Sequence, residues 1–128
     1  MFKDTVAFSG FTVNSLDKAQ KFYGDTLGVV VERDEMGLQL HLGSGATVFI
    51  YEKENHEPAS FTILNFVVDD IDTAVSDLVA KDIKMERYEG FPFEQDDKGI
   101  ARGRSANMGP DIAWFKDPAG NVLAVLQN

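Results

Sequence analysis

The stretch FTVNSLDKA, Phe11–Ala19, is written a second time as FVVDDIDTA, Phe66–Ala74, at an offset of 55 residues. Phe, Val, Asp and Ala coincide at four of the nine positions, and Leu16 lies over Ile71. Each copy begins as an alternating strand and runs into a polar residue able to cap a helix. That residue is Asn14 or Ser15 in the first copy and Asp69 or Asp70 in the second. Apolar residues then recur at helical spacing: Leu16, Ala19, Phe22, Tyr23 and Leu27, and again Ile71, Ala74, Val75, Leu78 and Val79. Gly28 closes the first helix.

Further strands follow each helix. After the first come VVVERDE, LQLHL and TVFIYEKE, broken by EMG and GSGA. After the second come KMERYE, a segment before or within DIAWFK, and NVLAVL. Each copy therefore reads as βαβββ, giving an α+β fold of two such modules in a single domain, 1–128. Module one covers about 1–56 and module two about 57–128, joined through the polar stretch EKENHEPAS. The segment Gly90–Pro110, rich in Gly and charge and carrying Phe91 and Phe93, is too long for a simple connection. It reads either as a lid or as a solvated loop, with a short strand around Gly99–Arg104.

The last hairpin can be predicted in detail. In WFKDPAGNVLAVLQN, Pro118 and Ala119 suit a type I turn and Gly120 the left-handed residue after it. Asp117 is then opposite Asn121 and Trp114 opposite Ala124. The second strand of that hairpin, NVLAVL, carries no acid, base or metal ligand.

Composition narrows the function classes. The formal charge of −9 disfavours nucleic acid and anionic lipid as partners, and favours a neutral or cationic ligand. With no cysteine, disulfides, thiolate zinc sites and thiol nucleophiles are excluded. No apolar run is long enough for a membrane span, and MFKDTVAF lacks the apolar core of a signal peptide, so a cytoplasmic location is expected. GSGA lacks the lysine and following helix of a phosphate-binding loop, and GRSAN is not a nucleophile elbow.

SLDKAQKFYGDTLG (Ser15–Gly28), VVDDIDTAV (Val67–Val75) and WFKDPAGNVL (Trp114–Leu123), in this order and spacing, resemble the vicinal oxygen chelate superfamily. That group comprises glyoxalase I, extradiol dioxygenases, fosfomycin-resistance enzymes and bleomycin-resistance proteins. The resemblance implies two βαβββ modules whose strands form a cupped mixed sheet, with helices on the outer face and a ligand cavity inside. It also implies a homodimer. Metal-using members supply four His or Glu ligands from the first and fourth strands of each module. Carried onto this chain, those positions fall at Phe8, Phe49, Ile63 and Ala124, with Glu52 the nearest carboxylate to the second of them. None of these four side chains offers the N or O lone pair that a divalent ion needs at about 2.0–2.6 Å. The scaffold is expected without its metal, and no cofactor is expected.

Strand parity says what takes the metal's place. Ala7, Phe11, Val13, Val48, Ile50 and the leucines of LQLHL should face the helix. Val6, Phe8, Gln39, His41, Thr47, Phe49, Tyr51, Ile63, Asn65 and Val67 should face the cavity, joined by Trp114 and Ala124 through the hairpin register. The expected ligand-binding set is Phe8, His41, Phe49, Tyr51, Ile63, Asn65, Trp114 and Ala124. Such a lining suits an organic molecule, although the same aromatics could instead pack on one another.

His41 is the one candidate for catalysis, with no acid fixed near it by sequence; His56 in the linker reads as solvated. Arg102 and Arg104 read either as a clamp on an anionic ligand or as residues of a solvated loop or partners of Glu94, Asp96 or Asp97. Tyr88 belongs to the cavity mouth and Glu32 to an exposed rim. The expected function is metal-independent binding of a small neutral or cationic organic molecule. The alternative is a glyoxalase- or dioxygenase-like lyase, isomerase or oxygenase using a displaced His41–Glu52 metal site, or His41 and Tyr51 as acid and base. A structural or regulatory module that binds nothing is the third reading.

Overall fold

The computed structural model describes residues 1–90 and 94–128. The chain divides into two compact units, Met1–Pro58 and Ala59–Asn128. Each is an α+β module with one four-stranded mixed sheet.

In the first unit β1 (Ser9–Val13) leads to α1 (Leu16–Gln20), followed by β2 (Val30–Arg33), β3 (Leu38–His41) and β4 (Thr47–Glu52). The sheet order is β1-β4-β3-β2, with β1 parallel to β4 and the other pairs antiparallel. Ser15 caps α1 by accepting from the Lys18 amide. After Gln20 the helix widens to π-helical geometry over Lys21–Thr26, the Leu27 amide donating to the Phe22 carbonyl. Helical spacing alone predicts one uninterrupted α-helix here. The wider turn goes with burial of the neighbouring rings of Phe22 and Tyr23, which meet edge to face. Val13, Leu38, Leu40, Val48 and Ile50 are buried on the helix-facing side of this sheet, as alternation requires.

In the second unit β5 (Thr62–Val67) leads to α2 (Ile71–Ala80), then β6 (Ala101–Arg102), β7 (Asp111–Lys116) and β8 (Val122–Gln127), ordered β5-β8-β7-β6. Asp70 caps α2 through both the Thr73 amide and its hydroxyl, while the Gln127 side chain takes the Ile71 amide. Ile71, Val75 and Leu78 from α2 and Ala113, Phe115, Leu123 and Val125 from the sheet are all buried.

KMERYE, expected as a strand, is not one. Only Glu86 bridges to Trp114, and the strand beside β7 is the short β6 instead. Gln95 is the reason. Its amide nitrogen donates to the Glu86 and Gly99 carbonyls, and its amide oxygen accepts from the Tyr88 backbone N–H. A side chain thus takes up the backbone groups that a neighbouring strand would have used. Of the Gly90–Pro110 segment, the short strand is present as β6, whereas Phe91 and Phe93 lie outside the described residues.

Arg102 knits this segment to the module. Its guanidinium grips Asp72 of α2 at 2.8 and 3.1 Å and Asp96 at 3.0 Å, and lies 3.6 Å from Asp111. Pairing with Asp96 is one of the two readings open in the sequence; Asp72 and Asp111 come only from the fold. The Arg102 hydrogen bond, with help from Lys98, holds the Asp72 carboxyl far below the usual carboxylate range. As pH falls, the unfolded chain takes up a proton at the ordinary Asp value while the folded chain does not, so the unfolded state gains protons and stability declines. This contribution is complete above about pH 5 and is lost progressively below it. The stability gap between wild type and D72N, read from urea midpoints, should therefore be largest near pH 7 and shrink between about pH 5 and pH 2. A gap independent of pH would exclude this linkage.

Candidate functional site

The face of the first sheet opposite its helix carries most of the expected ligand-binding side chains of module one. Pairing puts Gly10, Phe49, Gln39 and Glu32 in one cross-strand row and Thr47, His41 and Val30 in the next, with Thr12 beside Tyr51. The rings of Phe49 and Tyr51 stack at 5.8 Å with an interplanar angle of 19°. His41, Phe49 and Tyr51 are thus brought onto one face. Phe8 lies one residue ahead of β1, outside the ladder, and is 68% exposed.

Two expectations about this module need correction. Glu52 pairs with Val13 and accepts from the Leu16 amide at 2.9 Å. It therefore serves the start of α1 on the opposite side of the sheet from His41, and a His41–Glu52 metal site does not form. His56 is not solvated in the linker: it is partly buried, and its Nδ1 lies 2.6 Å from the Thr12 hydroxyl.

Sequence reading also misses the acid beside His41. Glu32 Oε1 is 3.4 Å from His41 Nε2. That is within range of charge attraction, but the contact is not aligned as a hydrogen bond, and the buried Nε2 has no hydrogen-bond partner among the described residues. The length of the β2–β3 turn would have revealed the pair. Asp34 closes it by accepting from the Met36 and Gly37 amides, so that Arg33 faces Leu38 and Glu32 faces Gln39.

In the second module the hairpin has the expected register: Trp114 pairs with Ala124, Asp117 bonds across to Asn121, and Gly120 has φ +85°. Asn65 pairs with Ala124 on its other side, so Asn65, Ala124 and Trp114 form one row. An irregularity in the ladder falls between Thr62 and Leu64 and leaves Ile63 without a register partner. It also changes which side chains accompany Asn65, and the Trp114 indole N–H donates to the Thr62 hydroxyl at 3.1 Å. Trp114 is only 7% exposed; it belongs to a buried group with Ala101, Val122 and Ala124, and Tyr88 meets it edge to face at 5.5 Å. Burial, with the Glu86 charge adding to it, pushes the Tyr88 phenol above its ordinary value, so it stays a hydrogen-bond donor.

The positions to which the resemblance carries metal ligands hold Phe8, Phe49, Ile63 and Ala124, a set without a single donor atom. Among the described residues no three His, Asp or Glu side chains are grouped so as to hold an ion. At these four positions the side chains do not fit a divalent metal. No helix among the described residues is long and apolar enough to cross a membrane.

The structure is similar to a glyoxalase family protein from Enterococcus faecalis, with TM-score 0.68 and 22% identity over 98% of this chain and 99% of that one. It is also similar to an antibiotic binding protein from a Streptomyces species, with TM-score 0.63 and 20% identity over 97% of each chain. The fosfomycin resistance protein FosX of Listeria monocytogenes gives TM-score 0.69 and 11% identity over 98% and 93%. At these identities the likeness is one of fold. No curated protein matches the sequence. A family profile described as Glyoxalase/Bleomycin resistance protein/Dioxygenase superfamily matches residues 5–125, nearly the whole chain, and the protein belongs to that superfamily.

Proposed function

We propose that this protein is a metal-independent binding member of its superfamily that holds a small, partly aromatic organic molecule, neutral or cationic. The donor-free set Phe8, Phe49, Ile63 and Ala124 carries this reading, because hydrocarbon and phenyl groups cannot coordinate a cation. The stacked Phe49 and Tyr51, with Gln39, His41 and Thr47 beside them, support an organic ligand: an apolar platform with a few polar groups to orient what lies on it. The likeness of fold to an antibiotic binding protein supports a binding role. The acidic net charge supports the same ligand classes and argues against nucleic acid and anionic membranes. The reading includes a cytoplasmic homodimer.

Two measurements test it. Protein equilibrated with zinc, nickel or ferrous ion and then dialysed should retain well under one ion per chain by elemental analysis. A library of small aromatic amines, alcohols and heterocycles should contain members that raise the melting temperature. Stoichiometric metal retention, or silence across the library, would overturn the proposal.

A further inference from the structure

We infer that the open face of the first module's sheet recognises an organic cation, with Glu32 and His41 taking the charged nitrogen and Phe49 and Tyr51 the ring. The inference rests on the proposed ligand-binding role of that face and narrows it to one chemical class.

Three observations carry it. First, among the described residues the Glu32 carboxylate has no Lys or Arg partner. Its side chain is 71% exposed, and its Oε1 lies 3.4 Å from His41 Nε2. The adjacent Arg33 points to the other side of the sheet, where Asp17 and Gln20 hold it at 2.7 and 2.9 Å. The Glu32 carboxylate shares the sheet face that carries the stacked Phe49 and Tyr51. Second, among the described residues the buried His41 Nε2 has no hydrogen-bond partner, an arrangement that calls for an explanation. A carboxylate at 3.4 Å favours the tautomer with the proton on Nε2, leaving the Nδ1 lone pair to accept from a ligand N–H. A small inward movement of Glu32 around a bound cation would align the Nε2–H···O contact. Third, the platform and the acid are correctly spaced for one molecule. Glu32, Gln39 and Phe49 occupy one row over three adjacent strands. Two strand spacings separate the carboxylate strand from the ring strand, about 10 Å in all. Gly10, on the far side of Phe49, places no side chain on that face, so the ring stays open at its flank. An aromatic ring joined to a protonated amine by a short chain spans this row. Ring stacking and the carboxylate then act together.

The probes are naphthylethylammonium and its neutral counterpart naphthylethanol, titrated calorimetrically into wild-type protein, E32Q and F49A. Wild type should bind the cation about 10-fold more tightly than the alcohol, the advantage expected of a charge-assisted contact. E32Q should bring that ratio close to one. F49A should weaken both probes by about 10-fold or more, and Y51A serves in its place should F49A fail to fold. A wild-type preference that survives in E32Q, or no preference at all, overturns the cation inference and leaves the binding role standing, since both probes still bind. Failure of both probes to bind wild type overturns the inference together with the assignment of this face as a binding face.

Discussion

Replacing Asp117 with alanine should destabilise the protein by about 3–5 kcal/mol, read from denaturant midpoints followed by Trp114 fluorescence. Asp117 is 5% exposed, and its carboxylate organises the turn from inside. One oxygen accepts from the Ala119 and Asn121 amides, both at 2.9 Å, and the other from the Asn121 side-chain amide at 2.9 Å. Alanine would remove the acceptor for all three donors, two of them on the buried Asn121, and each such loss costs roughly 1–3 kcal/mol. Asparagine keeps one acceptor oxygen but sets its NH₂ against that of Asn121, so D117N should fall between alanine and wild type. The turn fixes the register that puts Trp114 across from Ala124, so D117A should also change the tryptophan emission of the folded state. A D117A variant within about 1 kcal/mol of wild type would show that the turn's backbone suffices without the carboxylate.

Gly37→Ala should cost about 3 kcal/mol or more and lower the melting temperature by about 10 °C or more. A Cβ at Gly37 would lie 2.2 Å from the Ile50 carbonyl oxygen and 3.2 Å from the Phe49 ring, on a backbone with φ +153°. The ring could turn aside, but the carbonyl belongs to the β3–β4 ladder and cannot move without opening the Leu38–Ile50 pair. Gly45, with φ +91° and nothing within 4 Å, is the control for backbone strain alone. Its alanine variant should lose only about 1 kcal/mol. Equal losses at the two glycines would mean that strain, not the collision, sets the cost at Gly37. Because the Gly37 substitution presses on Phe49, any folded fraction should also bind aromatic probes more weakly.

The features legible in the sequence are those governed by near neighbours. The doubled strand-to-helix motif, with Ser15 and Asp70 as caps, follows from N-cap chemistry and apolar period. The final hairpin follows from Pro118, Gly120 and the alternation on either side, which is why residue spacing suffices to pair Trp114 with Ala124. The same alternation places His41, Phe49 and Tyr51 together on one side of their sheet.

What misleads a reading of the sequence is non-local. KMERYE has the composition of a strand, but a side chain nine residues beyond Glu86, Gln95, claims its backbone groups. Glu52 looks like a spare carboxylate near a ligand position, but the start of α1 draws its oxygen. His56 sits in a polar stretch, yet Thr12, 44 residues away, binds its ring. Ile63 falls at an inward position only if its strand is regular, and the ladder is irregular at that point.

The sequence by itself determined the two-module α+β plan, the caps, the last turn and the lack of donor atoms at Phe8, Phe49, Ile63 and Ala124. Propensity, periodicity and ligand chemistry are properties of a residue and its immediate surroundings. Only the tertiary structure decided that Glu32 stands beside His41, that Arg102 gathers Asp72, Asp96 and Asp111, and that Trp114 is buried on Thr62 rather than open. Those pairings join residues on different strands and helices, and the distance between side chains there is set by ladder register and turn length, which one-dimensional spacing does not encode.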